Sequence, residues 1–312
     1  MEKAKVYYTD FRTTSSENLL QKLRRLCITA GMKEIDFEDK YAAIKIHFGE
    51  YGNLAFLRPN YAKVVADIVK EMGGKPFLTD CNTLYVGSRK NALDHLETAY
   101  ANGFSPFSTG CHVIIGDGLK GTDEALVPID GEYVKEAKIG QAVMDADIFI
   151  SLTHFKGHEA TGFGGALKNI SIGLASSFGK AYIHGAGEPE KIWTADHDAF
   201  LESMADASKS IMDVYKDKIA FINVMKNMSV DCDCCAVAED PKVKDIGILS
   251  SLDPVALDQA CLDMIYNSDD PHRDHLIQRI ESRNGALIVD ASEKIGVGSK
   301  EYELIEIKTI QF

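Results

Sequence analysis

The feature that most constrains this chain is a repeated alternation of short apolar strands with helices of roughly 10–15 residues. Strands are expected at Val6–Tyr8, Tyr41–His47, Pro76–Thr79, His112–Gly116, Ile148–Leu152, Ile219–Val224, Asp245–Leu249 and Tyr302–Ile307. Helical periodicity covers Ser16–Ala30, Tyr61–Met72, Asn91–Asn102, Thr194–Tyr215, Pro254–Tyr266, Asp274–Glu281 and Ala286–Lys294. Ser15 or Ser16 suits the first N-cap, and Asp253 suits that of Pro254–Tyr266. Pro59 stands where a first helical turn accepts proline. Gly164–Gly173 begins with glycines and is expected to continue as a helix. The apolar run Ile148–Leu152 fits the middle of a parallel sheet. The fold class is therefore α/β, a mostly parallel sheet flanked by helices. No repeat, low-complexity tract or long linker interrupts residues 1–312, which read as one domain; a division into two lobes with a cleft stays open.

Charge narrows the partners. The net charge of −13 repels phosphate backbones and anionic bilayers, which excludes a general nucleic-acid or membrane-surface binder. The opening MEKAKVYYTDFRTT has no apolar h-region and no apolar stretch is long enough to span a bilayer, so a cytoplasmic protein is expected. Seven cysteines, an odd number, argue against a disulfide framework.

In parallel α/β folds ligands bind beyond the carboxyl ends of the strands, so polar residues placed there matter most. His47 and Glu50 follow one strand, and a histidine there suits metal binding or proton transfer. Arg58, just before a helix, suits bidentate capture of a carboxylate or phosphate. Asn82 and Thr83 follow another strand and offer hydrogen bonds to a ligand or to a turn. The richest segment follows Ile148–Leu152. It carries His154, His158, Gly162, Gly164, Gly165 and Lys168. The glycines permit close backbone approach, and a helix starting there would aim free N–H groups at an anion. Lys168, near that helix start, is a candidate nucleophile or covalent anchor, with His154 and His158 as acid–base groups.

Three cysteines crowd into Asp231-Cys232-Asp233-Cys234-Cys235. Cys232 and Cys234 offer thiolate ligands, yet no C-x-x-C pair completes a ferredoxin-type centre, so a [4Fe–4S] cluster is not expected in this chain. Neighbouring carboxylates would raise the thiol pKa values. A metal site and a turn with buried, inert cysteines both stay open.

Taken jointly, IKIHFGEYGNLAFLRPNYAKVV, PFLTDCNTLYVGSR, DADIFISLTHFKGHEATGFGGALKNISIGLAS, FINVMKNMSVDCDC and DIGILSSLDPVALDQA resemble the domain-of-unknown-function 362 family, whose members are often named iron–sulfur centre proteins. Many of them carry a ferredoxin-like insertion; here Pro189-Glu190-Lys191 runs directly into Ile192-Trp193-Thr194. The segment from His158 to Lys168 is also similar to part of the nickel-pincer lactate racemase family. That resemblance implies Lys168 as the anchor of a nickel-pincer-like cofactor, His184 as metal ligand and Arg58 as carboxylate binder. Asn82 or Thr83 stands where that family has a catalytic histidine, and Ile172-Gly173 replaces its proline-glycine. The leading expectation is a metal- or cofactor-binding protein acting on a small anionic, carboxylate ligand. Its divalent metal would be nickel, zinc or iron, held among His47, His158, His184, Cys232 and Cys234, and its enzyme class isomerase or oxidoreductase. A redox-associated protein using Cys232 to Cys235 and a non-catalytic anion-binding module are the alternatives, and a homodimer or a redox partner protein stays open.

Overall fold

The computed structural model describes residues 3–310. β1 (Ala4–Thr9) is followed by α1 (Leu19–Thr29), β2 (Tyr41–Lys45), α2 (Pro59–Glu71), β3 (Lys75–Asp80), α3 (Ala92–Ala101), α4 (Pro106–Thr109) and β4 (His112–Ile115). A hairpin of β5 (Glu124–Pro128) and β6 (Glu136–Gly140) leads through α5 (Gln141–Met144) to β7 (Ile148–His154). A tight hairpin, β8 (Lys156–His158) and β9 (Gly162–Gly164), precedes α6 (Ala166–Ile170), α7 (Ser177–His184) and the long α8 (His197–Tyr215). The remaining elements are β10 (Ile219–Met225), β11 (Gly247–Ser251), α9 (Pro254–Tyr266), α10 (Arg273–Ser282), α11 (Leu287–Lys294) and β12 (Tyr302–Glu306).

The main sheet has eight strands in the order β12-β1-β11-β10-β7-β2-β3-β4. Only β11 runs against its neighbours, β1 and β10; the other pairings are parallel. The expected α/β architecture is thus present. Strand pleating divides the interior into two cores. Ile148, Ile150, Leu152, Ile44, Leu78 and Ile222 face one of them, while Phe149, Ala43, Phe77 and Phe221 face the other.

The second face changes character along the strands. Ala43 is followed two residues on by Lys45, Phe77 by Thr79, Phe149 by Ser151 and Thr153, and Phe221 by Asn223. All five of these polar residues are buried. Buried polar groups require partners, so this polar patch at the carboxyl ends marks where the fold departs from simple packing.

Local signals explain most boundaries and most departures. Asp253 caps α9 by accepting from Val255 N at 2.9 Å and Ala256 N at 3.0 Å, as expected. The first cap is Asn18, not Ser15 or Ser16, because Gln21 completes a reciprocal capping box with it. The helix expected over Gly164–Gly173 shrinks to α6, because Gly162 to Gly164 pair as β9 with β8. His184, expected in a loop, ends α7. Two three-residue strands are too short to carry a readable period, which is why β8 and β9 escaped the sequence.

Candidate functional site

The loops after β2, β3 and β7, together with α6 and α7, enclose a cavity at the carboxyl edge of the sheet. Its volume is about 90 Å³. That is several times the roughly 10–15 Å³ that one water requires. Lys45, Arg89, Lys156, Lys168 and Lys180 line it, and Asp80 is the one carboxylate among its lining residues.

Most of these cations are already paired. Lys45 Nζ donates to Asn169 Oδ1 at 2.8 Å and lies 3.1 Å from Asp80 Oδ1. Asn169 Nδ2 in turn donates to Ser151 Oγ and Thr153 Oγ1, at 2.8 and 2.9 Å, which satisfies two hydroxyls of the polar patch, whereas Thr79 Oγ1 and Asn223 Oδ1 have no hydrogen-bond partner among the described residues. Burial pushes the Lys45 pKa down, and Asp80 partly restores it. Burial also opposes ionisation of Asp80, but Lys45 together with His95 and His47 beside it holds that carboxyl well below its usual range. Arg89 Nε donates to Glu50 Oε2 at 2.9 Å, and its Nη2 donates to the Cys234 carbonyl at 3.1 Å. Lys156 lies 2.9 Å from Asp233 Oδ1. Lys180 Nζ donates to the Ala175 carbonyl. Lys168 is different: among the described residues no hydrogen bond or ion pair engages its ammonium.

The histidine rings are sorted by what their second nitrogen meets. His158 Nδ1 accepts from the backbone N–H of Ala160 and Thr161, both at 3.1 Å. Its lone pair is therefore used on that side, and the proton of the neutral ring sits on Nε2. His47 behaves alike, with Nδ1 accepting from Gly49 N at 2.9 Å. Its Nε2 is buried and has no hydrogen-bond partner. Both residues line the cavity, each with its ring proton on Nε2. Burial drives both pKa values well below the usual range, which keeps the rings neutral. His184 is inverted. Its Nδ1 lies 2.8 Å from the Lys180 carbonyl, so Nδ1 donates and Nε2 keeps a free lone pair. Burial pushes His184 down to about 4. A ring fixed through its other N–H to a carbonyl is the arrangement typical of metal-ligating histidines.

Gly165 and α6 correct one expectation. The N–H groups at the start of α6 meet the protein's own carboxylate: Ala166 N and Leu167 N donate to Asp258 Oδ1 and Oδ2 at 2.8 and 2.9 Å. Asn223 Nδ2 adds a third bond at 2.7 Å. A Cβ on Gly165 would lie 2.4 Å from Asp258 Oδ1, so glycine there makes room for the carboxylate. Gly162, with φ of 76°, turns the β8–β9 hairpin. Gly164 and Gly165 border the cavity, but the helix terminus behind them is satisfied internally.

Asp258 also carries a pH signature. Burial raises its pKa to about 6, against partial opposition from those three donors. Between about pH 4 and 6 the folded state then holds a proton that the unfolded chain has released, so this contribution to stability falls as pH rises through that window. Asp258→Asn removes the titration. The cost of the substitution is expected to be about 2–3 kcal/mol larger at pH 4 than at pH 7, since each tenfold difference in proton affinity between folded and unfolded chains is worth about 1.4 kcal/mol. Urea unfolding of both proteins at the two pH values checks this; a cost independent of pH would contradict it.

The cysteine turn lies against the same cavity. Cys235 N donates to the Cys232 carbonyl at 3.2 Å, and Cys234 N donates to Cys232 Sγ at 3.3 Å. Cys234 lines the cavity, and its Sγ is 3.9 Å from His158 Nε2. Burial raises the Cys232 thiol well above its usual range, while Lys168 and Lys156 act to lower it. Desolvation, rather than the neighbouring carboxylates, is thus the main reason this thiol stays protonated. Two sets of potential metal ligands fall within 4.8 Å of one another: His158, Cys232 and Cys234, and Glu159, Cys234 and Cys235. The donor types fit a borderline-soft divalent cation.

Of the residues expected from the sequence, His47, Thr83, His158, Gly164, Gly165, Lys168, His184 and Cys234 border the cavity. The others lie elsewhere. Arg58 is an exposed cap of α2 that makes no side-chain capping bond. Asn82 Nδ2 is held by Asp117 Oδ1 and the Gly118 carbonyl, at 2.8 and 2.9 Å, and shapes its turn. His154 stands behind the wall, with Nδ1 3.0 Å from Asp233 Oδ2 and Nε2 2.7 Å from the Lys226 carbonyl, so neither nitrogen is free for acid–base work. Cys232 is fully buried beneath the turn. Sequence reasoning missed Lys45, Lys180 and Asp258. Lys45 was findable, since a lysine inside the apolar strand YAAIKIH must find a partner.

A family model described as a domain of unknown function (DUF362) matches residues 42–263. The thylakoid-associated protein sll1697 of Synechocystis sp. is 27% identical over 161 residues, which cover 51% of this chain and 44% of that protein. Among solved structures, the lactate racemase apoprotein from Thermoanaerobacterium thermosaccharolyticum aligns with a TM-score of 0.40 and 12% identity, over 71% of this chain and 50% of that one. A Thermotoga maritima protein aligns with a TM-score of 0.45 and 14% identity, over 90% of this chain and 59% of that one. The chain thus spans about half the length of the relatives it matches. Among the described residues no helix is long and apolar enough to cross a membrane.

Proposed function

The chain belongs to the DUF362 family, and we propose that its cavity binds a small carboxylate ligand beside a metal-bearing cofactor. The observation that carries this reading is the charge of the cavity. Five cationic side chains line it in a protein of net charge −13, and Lys168 among them has no counter-ion within the described residues. His47 and His158 line the same space, each with its ring proton on Nε2, and His47 Nε2 lacks an acceptor among the described residues. A buried donor without a partner costs on the order of 1–3 kcal/mol, which an anion's oxygen would recover.

The residues divide the work by type. Lys168 supplies the uncompensated charge, His158 and His47 donate hydrogen bonds, and Thr83 together with the backbone at Gly164 and Gly165 shapes the walls. His184, with its Nε2 lone pair free, is the ligand suited to a cofactor's nickel, zinc or iron. Such a metal supplies Lewis-acid or redox chemistry when bound. Metal analysis and intact mass of protein from its native host test this part. His184→Ala is expected to lose the metal, and an equal metal content in both proteins would contradict it.

The carboxylate part is tested by thermal shift of the purified chain with malonate, succinate and inorganic phosphate, against the neutral diamide of succinate. A ligand that binds only the folded state raises the melting temperature with concentration. A rise with succinate or malonate and none with the diamide is expected. Equal shifts from acid and diamide, or a rise with phosphate alone, would count against the carboxylate assignment.

A further inference from the structure

We propose that Glu159, Cys234 and Cys235 form a binding site for a zinc-class divalent cation, separate from the His184 position. One ligand atom from each lies within 4.8 Å of the others. Two thiolates at about 2.3 Å from zinc in tetrahedral array sit roughly 3.8 Å apart, so closure needs only side-chain adjustment. The contacts already made point the same way. Glu159 Oε1 is 3.5 Å from Cys235 Sγ and also accepts from Cys232 N at 3.3 Å. A carboxylate and two thiols therefore face one another across a short gap between the β8–β9 hairpin and the cysteine turn.

The alternative set, His158 with Cys232 and Cys234, is less suited. His158 Nδ1 already accepts two backbone N–H groups, which puts the proton on Nε2, the nitrogen nearest Cys234. A metal-ligating imidazole needs that lone pair free. Cys232 Sγ is fully buried, accepts from Cys234 N and lies 3.5 Å from Asp233 Oδ1, so it supports the turn from beneath.

The backbone of the proposed ligands is held from several sides. Arg89 binds the Cys234 carbonyl, Asn53 Nδ2 binds the Cys235 carbonyl at 2.8 Å, and Arg283 Nε binds the Glu159 carbonyl at 2.6 Å. Such bonds fix ligand direction before the ion arrives, and partners of this kind matter to metal affinity. Cys235 is half-buried and the Glu159 side chain is 39% exposed, which leaves the ion a path from solvent. Three protein ligands leave one tetrahedral position for water. On binding, each thiol releases its proton to solvent and the sulfur pair forms the bond to the cation.

The test is a cobalt(II) titration of the full chain, reduced and stripped with a chelator, with no carboxylate present. One equivalent is expected to raise a thiolate-to-cobalt charge-transfer band together with visible d–d bands. Cys235→Ala and Glu159→Gln should each weaken cobalt binding at least tenfold, while His158→Gln should leave it unchanged. Glu159 is partly exposed, so its variant is not expected to disturb folding, and circular dichroism checks both. The proposal is overturned by the absence of a charge-transfer band at one equivalent, by a band that survives both substitutions, or by one that depends on His158 instead. Because no carboxylate is added, failure here is distinguishable from failure of the carboxylate reading.

Discussion

Asp233→Ala is expected to lower the unfolding free energy by about 3–5 kcal/mol, the range for breaking a buried ion pair from one side. Asp233 has no exposed side-chain surface. Its Oδ1 lies 2.9 Å from Lys156 Nζ and its Oδ2 lies 3.0 Å from His154 Nδ1. Burial alone would push the Asp233 pKa up, yet Lys156, His47 and His154 hold it well below the usual carboxylate range. Lys156 shows the complement, with burial lowering its pKa and Asp233 more than restoring it. Removing the carboxylate leaves a buried ammonium without its anion. The double variant Asp233→Ala with Lys156→Met should recover a large part of the loss, because the remaining cost is then packing rather than an unpaired charge. Urea denaturation of both variants measures this. A double variant no more stable than the single one would show that the pair is not the source of the cost.

Glu50→Ala is the second large effect, also about 3–5 kcal/mol by the same reasoning. Glu50 Oε2 receives Arg89 Nε at 2.9 Å, and its Oε1 accepts Ser88 N at 2.7 Å. Its own backbone N–H donates to the Asp233 carbonyl at 2.9 Å. Arg89 then reaches the Cys234 carbonyl. One glutamate thus ties together the loops after β2 and β3 and the cysteine turn. Arg89 is 2% exposed, so loss of Glu50 strands a guanidinium whose next carboxylate, Asp80, is 4.0 Å away. Glu50→Gln keeps the shape and some of the hydrogen bonds, so its cost should fall well below that of alanine. Equal costs for the two variants would contradict the role given to the charge.

The fold was largely legible because its strands and longer helices carry clear periods and caps. Pro59 and Asp253 marked the starts of α2 and α9 directly. Ile148 to Leu152 announced the central parallel strand, fully buried in the sheet. The hairpins β5–β6 and β8–β9 were not legible, since strands of three to five residues carry too few alternations to show a period. For the candidate cavity, several lining residues were legible in the sequence but the hydrogen-bond state of each was not. Thr83, after β3, and His158, in β8, border one cavity with Lys168 of α6 and His184 at the end of α7. Which histidine nitrogen is free depends on backbone groups such as Gly49 N and the Lys180 carbonyl, and no spacing rule reveals those. The glycine-led helix start looked like an anion cradle, but Asp258, more than 90 residues away, fills it.

The most direct test of the central claim is calorimetric titration of succinate and malonate into the wild-type chain and into Lys168→Ala. Lys168 has no hydrogen-bond or ion-pair partner among the described residues, so its removal should leave folding intact while subtracting a cation whose charge no neighbouring carboxylate offsets. The expected result is a single binding event in the wild type and at least a tenfold weaker one in the variant, about 1.4 kcal/mol. Binding of equal strength in the two proteins, or none in the wild type, would contradict it.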